Sequence, residues 1–558
     1  MKRIVVIGGY GGFGAKVCQL LAEDGHNIVV AGRSLVKASA FCAQFSSEAM
    51  QPMALDREQI DADRLRSLDV CLLIDASGPF QVQDFHVPKA CIQAGIHYLD
   101  LSDGRAFVNG ISSLNREAKE ARTCVVSGAS TLPALGTAIT DCLARDMDIV
   151  KAIRTSLSAS NRLNASRSVT EAILSYAGKN ISIWRGGKSE EATGLQETRR
   201  VSYQIKGLRP HVRSVRLCDV PDLDSLPSRY AGKPASEFRA GSDIRVLDFL
   251  LWICTWPVVW GWLKNLSRFT FPALLAQRFF SIFGGDRSAM EVRLFGRLGA
   301  NALERKWTVI ADNGDGMWIP ALAAPLLARK IVSGELEFGA RSSSGLLDLK
   351  LFQPYFDRYA IQTEIVEQPA SDYLYRRVMG QDFDLLPPAV QYAHEVLGDH
   401  GMIGSTQVIR GRNALAVLVA RLFRFPDSGT NLPAHVHMRE EKGVETWVRN
   451  FDGQRFASTL CQMGNLLSER FGPFNFAMAL RRTNDGLSMH MRKAYFLGMR
   501  FPLALAPRIQ AREYEADGRF HFDVDIALPV IGRIILYQGH LQPMDLDNHA
   551  QEQSHAQH

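Results

Sequence analysis

Gly9, Gly11 and Gly14, with Tyr10, Gly12 and Phe13 between them, form a G-x-G-x-x-G spacing. Residues in this pattern set bare backbone against a phosphate. The first glycine permits a tight turn and the second lets backbone approach a pyrophosphate. The third lets a helix pack on a strand, so that the helix N-terminus faces the anion. The end of the second strand then bears on which dinucleotide is held. A site that prefers NAD carries Asp or Glu there, to hold the ribose 2′-hydroxyl. This chain carries Arg33 and Ser34, with Lys37 one helical turn later. A guanidinium and a hydroxyl bind the 2′-phosphate that a carboxylate would repel, so NADP is the expected cofactor.

Further candidates follow along the chain. Asp56 falls where a third strand would pass the adenine. Ala76, Ser77, Gly78 and Pro79, followed by Phe80, form a small-residue loop suited to the nicotinamide end. Ligands of open α/β sheets lie beyond the carboxyl ends of the strands. That rule points to Tyr98 as proton donor to a carbonyl or imine, Asp100 as its orienting partner, and Ser127 near the end of the sixth strand. The plainer alternative has Tyr98 packing under the cofactor and Asp100 capping a helix. His97 reads as structural. No Ser-Tyr-x-x-x-Lys arrangement is evident.

The elements that must position these residues alternate regularly. Ile4 to Ile7 is the β-branched run of a strand buried on both faces. Ala15 to Ala22 suits a helix ending near Gly25. "NIVVAGRS", "MQPMALD", "DVCLLIDASGPF", "HYLDLSD" and "TCVVSGAST" read as further strands, with a helix over Val87 to Ala94. The expectation is an α/β fold with a Rossmann-type doubly wound parallel sheet over residues 1–140.

Together, GGYGGFG, "VVAGRS", "DASGPF", "ACIQAGIHYLDLSD" and "VVSGASTLPAL" resemble the saccharopine dehydrogenase NADP-binding family. "GDGMWIPALAAPLLARKIVSGELEFGA" is similar to the segment that returns to the sheet in such proteins, here near 315–345. From about Leu385 the chain resembles DUF4166, a C-terminal domain of unknown function. The resemblance implies NADP chemistry and hydride transfer without fixing one substrate. One departure concerns Gly128 to Leu135. Many relatives carry an acidic residue just beyond this element, and its absence weakens any reading of the substrate as an amino acid.

At 558 residues the chain exceeds a single core. A mixed α+β middle domain over 141–380, serving substrate or dimer contacts, and a mostly antiparallel β domain over 385–545 are expected, with 546–558 a polar disordered tail. A net charge of +6 without a basic, aromatic-interleaved stripe argues against nucleic acid. Nine scattered cysteines and the absence of a signal peptide suggest a reducing, cytoplasmic setting. In the middle domain, Arg209, His211 and Arg213 are candidates for an acidic substrate, with a solvated face as the alternative.

"VLDFLLWICTWPVVWGWLKNL", 246–266, holds Trp252, Trp256 and Trp260 on one helical face. Its apolar run of about 17 residues falls short of the roughly 20 that a bilayer crossing needs. Three roles stand: a buried interface helix, lipid or membrane-surface contact through 246–283, or a span. In the last third, strand alternation and Asp-Gly pairs at 452–453, 485–486 and 517–518 mark hairpins, and a helix is expected near Leu415 to Phe423. A curved sheet or barrel around an apolar pocket would suit them. His435 and His437 share a strand face, as metal ligands or as a solvated edge, and no metal site is assigned. The composite expectation is an NADP-dependent oxidoreductase passing hydride to or from a carbonyl, imine or activated alkene of an unidentified substrate, with an apolar substrate and a homodimer as further options. A non-catalytic NADP sensor or scaffold and a lipid carrier are its rivals.

Overall fold

The computed structural model describes residues 3–45, 49–160, 167–299 and 301–544. The tail expected over 546–558 lies outside them. The chain builds three sheets. The first contains β1 (Arg3–Ile7), β2 (Ile28–Gly32), β3 (Met50–Ala54), β4 (Val70–Asp75), β5 (His97–Asp100) and β6 (Cys124–Ser127). The strand Gly339–Ser342 joins it beside β6, so the returning segment takes its expected place. All the pairings are parallel. β1 is buried on both faces because Ile4 and Val6 enter one hydrophobic cluster while Val5 and Ile7 enter another. β2 and β4 flank β1 on opposite sides. The winding reverses there, which opens a crevice at the carboxyl ends of β1 and β4.

The second, nine-stranded sheet is mixed. Its central strand, Ile149–Ala159, pairs parallel with Ala235–Ser242 and antiparallel with Ser288–Leu298. The tryptophan segment forms a 15-residue helix, Arg245–Val259, followed by a 12-residue helix, Thr270–Ser281. At 1.5 Å per residue the first is about 22 Å long. No described helix is long and apolar enough to cross a membrane, which removes the spanning reading of 246–266.

The third sheet is antiparallel and closed. Phe474–Arg482 pairs with Leu466–Phe471 on one side and Gly486–Phe496 on the other, and Gly486–Phe496 also pairs with Arg508–Ala516. The expected helix appears as Ala414–Leu422. The interior departs from the apolar lining expected of it. Phe451, Phe456 and Phe522 share it with polar pairs: His394 Nε2 lies 2.7 Å from Glu513 Oε2, and Arg449 donates to Ser458 Oγ at 2.9 Å.

The barrel also grips the middle sheet. His435 Nε2 lies 3.0 Å from the Gly186 carbonyl. His437 Nε2 lies 2.6 Å from Asp399 Oδ2, and Asp399 Oδ1 accepts from the Gly186 amide at 2.7 Å. These two histidines are therefore buried contacts of a neighbouring hairpin turn, not a solvated edge. Among the described residues, no group of three or more His, Cys, Asp or Glu could hold a metal.

Candidate cofactor site

The glycine turn folds as its spacing dictates. Gly8 has φ +71°, and a Cβ there would meet the Ala76 carbonyl oxygen at 2.9 Å. A Cβ on Gly14 would lie 2.2 Å from the Gly8 carbonyl oxygen, a distance no side chain tolerates. Gly12 faces open space. Helix α1 (Gly12–Glu23) starts here, capped by Gly11 with no side-chain hydrogen bond and no acid in its first turn. Its first amides therefore lack internal acceptors and present partial positive charge to the crevice. Backbone approach and amide supply both suit a pyrophosphate. We expect Gly14→Ala to cost about 1–3 kcal/mol through displacement of α1, read as a lower urea midpoint. An unchanged midpoint would show that the turn tolerates the methyl group.

At the end of β2 the assignments divide. Arg33 is exposed and has no ion pair or hydrogen bond among the described residues, so its charge is available. Lys37 is also exposed. Ser34 also shapes the next helix: its Oγ accepts from the Lys37 amide at 3.3 Å and caps the helix Leu35–Cys42. The Ser34 amide donates to the Tyr10 hydroxyl at 3.0 Å. Tyr10 thus reaches across the groove and lies on Gly32, where a Cβ would meet its ring at 2.6 Å. Ser34 is thus a helix cap that accepts through Oγ, and its O–H stays a donor beside the two cations. Asp56 likewise caps a short turn, accepting from the Glu58 amide.

The loop after β4 lies against the glycine turn. The Ala76 amide donates to the Ile7 carbonyl at 2.9 Å. Asp75 holds the loop from below: its Oδ1 accepts from the amide and hydroxyl of Ser77, and its Oδ2 accepts from Arg57 Nε at 3.1 Å. Arg57 and Asp75 are both buried. Gly78 offers its carbonyl to Ser168 Oγ at 2.8 Å, which ties the loop to the helix Arg167–Tyr176. Gly78 precedes Pro79 through a cis peptide bond. Phe80 turns away into the core against Phe107, with ring centroids 5.3 Å apart.

The three catalytic candidates do not line an open surface. Tyr98 is wholly buried among the residues of one sheet face, and its hydroxyl has no partner among the described residues. Burial, with Asp100 and Asp75 nearby, pushes its ionisation far up. A donor must reach its acceptor, so Tyr98 is a core residue here. Asp100 and Ser127 do meet: Asp100 Oδ1 accepts from Ser127 Oγ at 2.9 Å, the Gly128 amide at 2.8 Å and the Ser102 amide at 2.9 Å. Both are fully buried. Burial raises the Asp100 carboxyl to about 7 against those three donors. The pair stitches the ends of β5 and β6 together. His97 is structural, accepting from the Cys124 amide at 3.0 Å.

In the middle domain, His211 is buried with Nε2 3.2 Å from Ser158 Oγ, and burial lowers its pKa to about 4. Arg213 pairs with Asp243, and the Arg209 carbonyl accepts from Arg287. His211 and Arg213 are thus engaged within the fold, while the Arg209 side chain is exposed. Two groups escaped the sequence reading. Arg57 was signalled only by the need of Asp75, an acid ending an apolar strand, for a counter-charge. Asp222 lies beside Gly136, where a Cβ would stand 2.6 Å from Oδ2, and neither of its oxygens has a partner among the described residues.

Residues 4–126 match the family model described as saccharopine dehydrogenase NADP binding domain. Residues 386–541 match a domain of unknown function, DUF4166. No curated protein matches the chain in sequence. Among solved structures it is similar to apo saccharopine dehydrogenase (L-Glu forming) from Saccharomyces cerevisiae, 14% identical over 66% of this chain and 100% of that one, with a TM-score of 0.45. A dehydrogenase from Chromobacterium violaceum is 10% identical over 56% of this chain and 75% of its own, with a TM-score of 0.28. GenD2 from gentamicin A biosynthesis, in complex with NAD, is 12% identical over 66% and 97%, with a TM-score of 0.30. Likenesses this distant carry no argument about substrate or activity. The chain thus joins a saccharopine dehydrogenase-type NADP binding domain, residues 4–126, to a DUF4166 domain, residues 386–541.

Proposed function

We propose that the protein is an NADP-dependent oxidoreductase passing hydride to or from a carbonyl, imine or activated alkene of an apolar small molecule. One observation carries the cofactor choice: the end of β2 presents exposed Arg33 and Lys37 and no carboxylate, across from the open N-terminus of α1. When bound, the nicotinamide supplies the hydride. The chain's own groups do the holding. Amides of Gly12 to Gly14 take the pyrophosphate, and Arg33 and Lys37 neutralise the 2′-phosphate. The Asp75–Arg57 lock fixes the loop Ala76–Pro79 at the other end of the crevice.

Fluorescence titration of NADPH and NADH tests the assignment. A charge-assisted contact is worth about 1.5–3 kcal/mol. Arg33→Asp should therefore weaken NADPH by about tenfold to a hundredfold and leave NADH nearly unchanged. Equal loss for both cofactors would remove the phosphate role. A second reading, an NADP sensor without turnover, draws support from the burial of Tyr98, Asp100 and Ser127. Steady NADPH oxidation on a panel of apolar aldehydes, ketones and enones would exclude it.

A further inference from the structure

The two helices of the tryptophan segment leave an apolar face uncovered. Thirteen large apolar side chains between Val246 and Phe283 are exposed. The most open are Ile282 at 81%, Trp262 and Phe271 at 74%, and Phe283 at 73%. Monomer surfaces seldom gather so much apolar area in one place without a use for it.

The segment is firmly rooted. Trp252 Nε1 donates to Gln196 Oε1 at 2.7 Å, Thr255 and Val258 are buried, and the Leu266 amide donates to the Leu174 carbonyl at 3.3 Å. From that root the indoles climb outward. Trp252 meets Trp256 and Trp256 meets Trp260, each at 5.7 Å between centroids, and Trp260 meets Trp262 at 5.0 Å. The ladder ends in solvent.

The charges around this face have one sign. Every exposed charged residue from Arg245 to Phe283 is a cation: Arg245, Lys264, Arg268 and Arg278. The single acid, Asp248, turns inward, where its Oδ1 accepts from Ser242 Oγ at 2.7 Å. A second copy of this chain would bring the patch against itself about a two-fold axis, cation against cation with no acid to pair. An anionic bilayer surface instead offers headgroup phosphates to the cations and acyl carbon to the phenylalanines. Tryptophan settles at that boundary.

We propose that the helical pair 245–283 docks the protein on the surface of a bilayer containing anionic phospholipid. A chain of contacts joins the docked face to the loop after β4. The helix Arg167–Tyr176 contacts the helix Thr270–Ser281 and, through Ser168, holds the Gly78 carbonyl of the loop after β4. An apolar molecule leaving the bilayer would meet the protein on this side. The docking claim stands apart from the redox reading and survives its failure.

Flotation of the full chain with vesicles tests it, using phosphatidylcholine alone or an equal mixture with phosphatidylglycerol. The protein is expected to float with the mixture. Binding should fall about tenfold on phosphatidylcholine alone or in high salt, since surface attraction is screened within a Debye length. The variant Trp262→Ser/Phe271→Ser/Phe283→Ser should stay at the bottom with an unchanged thermal midpoint, because these side chains are already exposed. Lys264→Glu/Arg268→Glu should lose the preference for the mixture. A wild-type protein that does not float, or a triple variant that floats as well as wild type, overturns the proposal. So does a dimer in sedimentation that the triple substitution dissolves, which would assign the face to a second copy.

Discussion

Glu237→Gln is expected to lower the stability of the protein by about 3–5 kcal/mol, the usual cost of removing one partner from a buried ion pair. Glu237 is buried on the central sheet of the middle domain with five guanidinium groups around it. Its oxygens lie 3.1 Å from Arg239, 3.3 Å from Arg439, and 3.7 Å from Arg154 and Arg185, with Arg199 also in contact. Burial alone would raise the carboxyl, but Arg199, Arg239, Arg154 and Arg185 outweigh it and hold the group well below its ordinary 4.5. Glutamine keeps the shape and removes the charge, leaving five cations with Glu197 and Glu441 as the neighbouring acids. The loss falls on a junction: Arg439 lies on a barrel strand, and Arg154 donates to the Gly398 and Glu440 carbonyls of the barrel. Urea unfolding at neutral pH measures it. The folded pKa lies below the unfolded one, so this stabilisation is present above about pH 4.5 and fades as pH falls. Variant and wild type should therefore converge in acid. Equal midpoints at neutral pH would show that the network is dispensable.

How much of this molecule could be read from its sequence depended on the range of the interactions. In the first 130 residues the signals are local. The run Ile4–Ile7 has no polar face to offer solvent, and Gly14 is required by an atom six residues away, so strand, turn and helix were all visible. The middle sheet was opaque because its partners are distant: Ile149–Ala159 pairs with strands some eighty and one hundred and forty residues on. Hairpins of the barrel were marked by Asp452 and Asp517, which take positive φ before their glycines. Closure was not marked, since it depends on Gly486–Phe496 pairing with two strands at once.

The site shows the same division. The cations at the end of β2 were legible because charge type is written in the sequence and Arg33 and Lys37 are both exposed. The catalytic reading was not. Ending a strand says where a residue lies along the sheet, and Tyr98 turned out to point into the packed face while Leu99 points to the other. Asp100 and Ser127 came together as expected of neighbouring strand ends, yet they engage their polar atoms with each other and with backbone. Tyr10 over Gly32 could not be foreseen, because nothing in the turn's spacing says that one of its side chains bridges to β2.

Asp222→Asn is expected to stabilise the protein at about pH 8 by roughly 2–4 kcal/mol and to change little near pH 4. The group opens the helix Asp222–Arg229, is 2% exposed, and has no hydrogen bond on either oxygen among the described residues. Burial alone lifts its carboxyl from 3.8 to about 7. A folded pKa above the unfolded one makes the protonated form the compatible one. Stability is whole below about pH 4, declines as pH rises, and reaches its floor above about pH 7. At about 1.36 kcal/mol per unit, the full penalty is about 4 kcal/mol. Asparagine mimics the neutral acid and cannot ionise, so it escapes the penalty while filling the same space beside Gly136. Paired urea titrations of variant and wild type at the two pH values isolate this group, because every other carboxyl is common to both. A protein pays for such a carboxyl mainly where it has a use, and Asp222 stands against Gly136, in the segment that follows β6. If the asparagine variant were instead less stable at pH 8, the Asp222 carboxylate would be stabilised there by a partner and the burial penalty argued here would not exist.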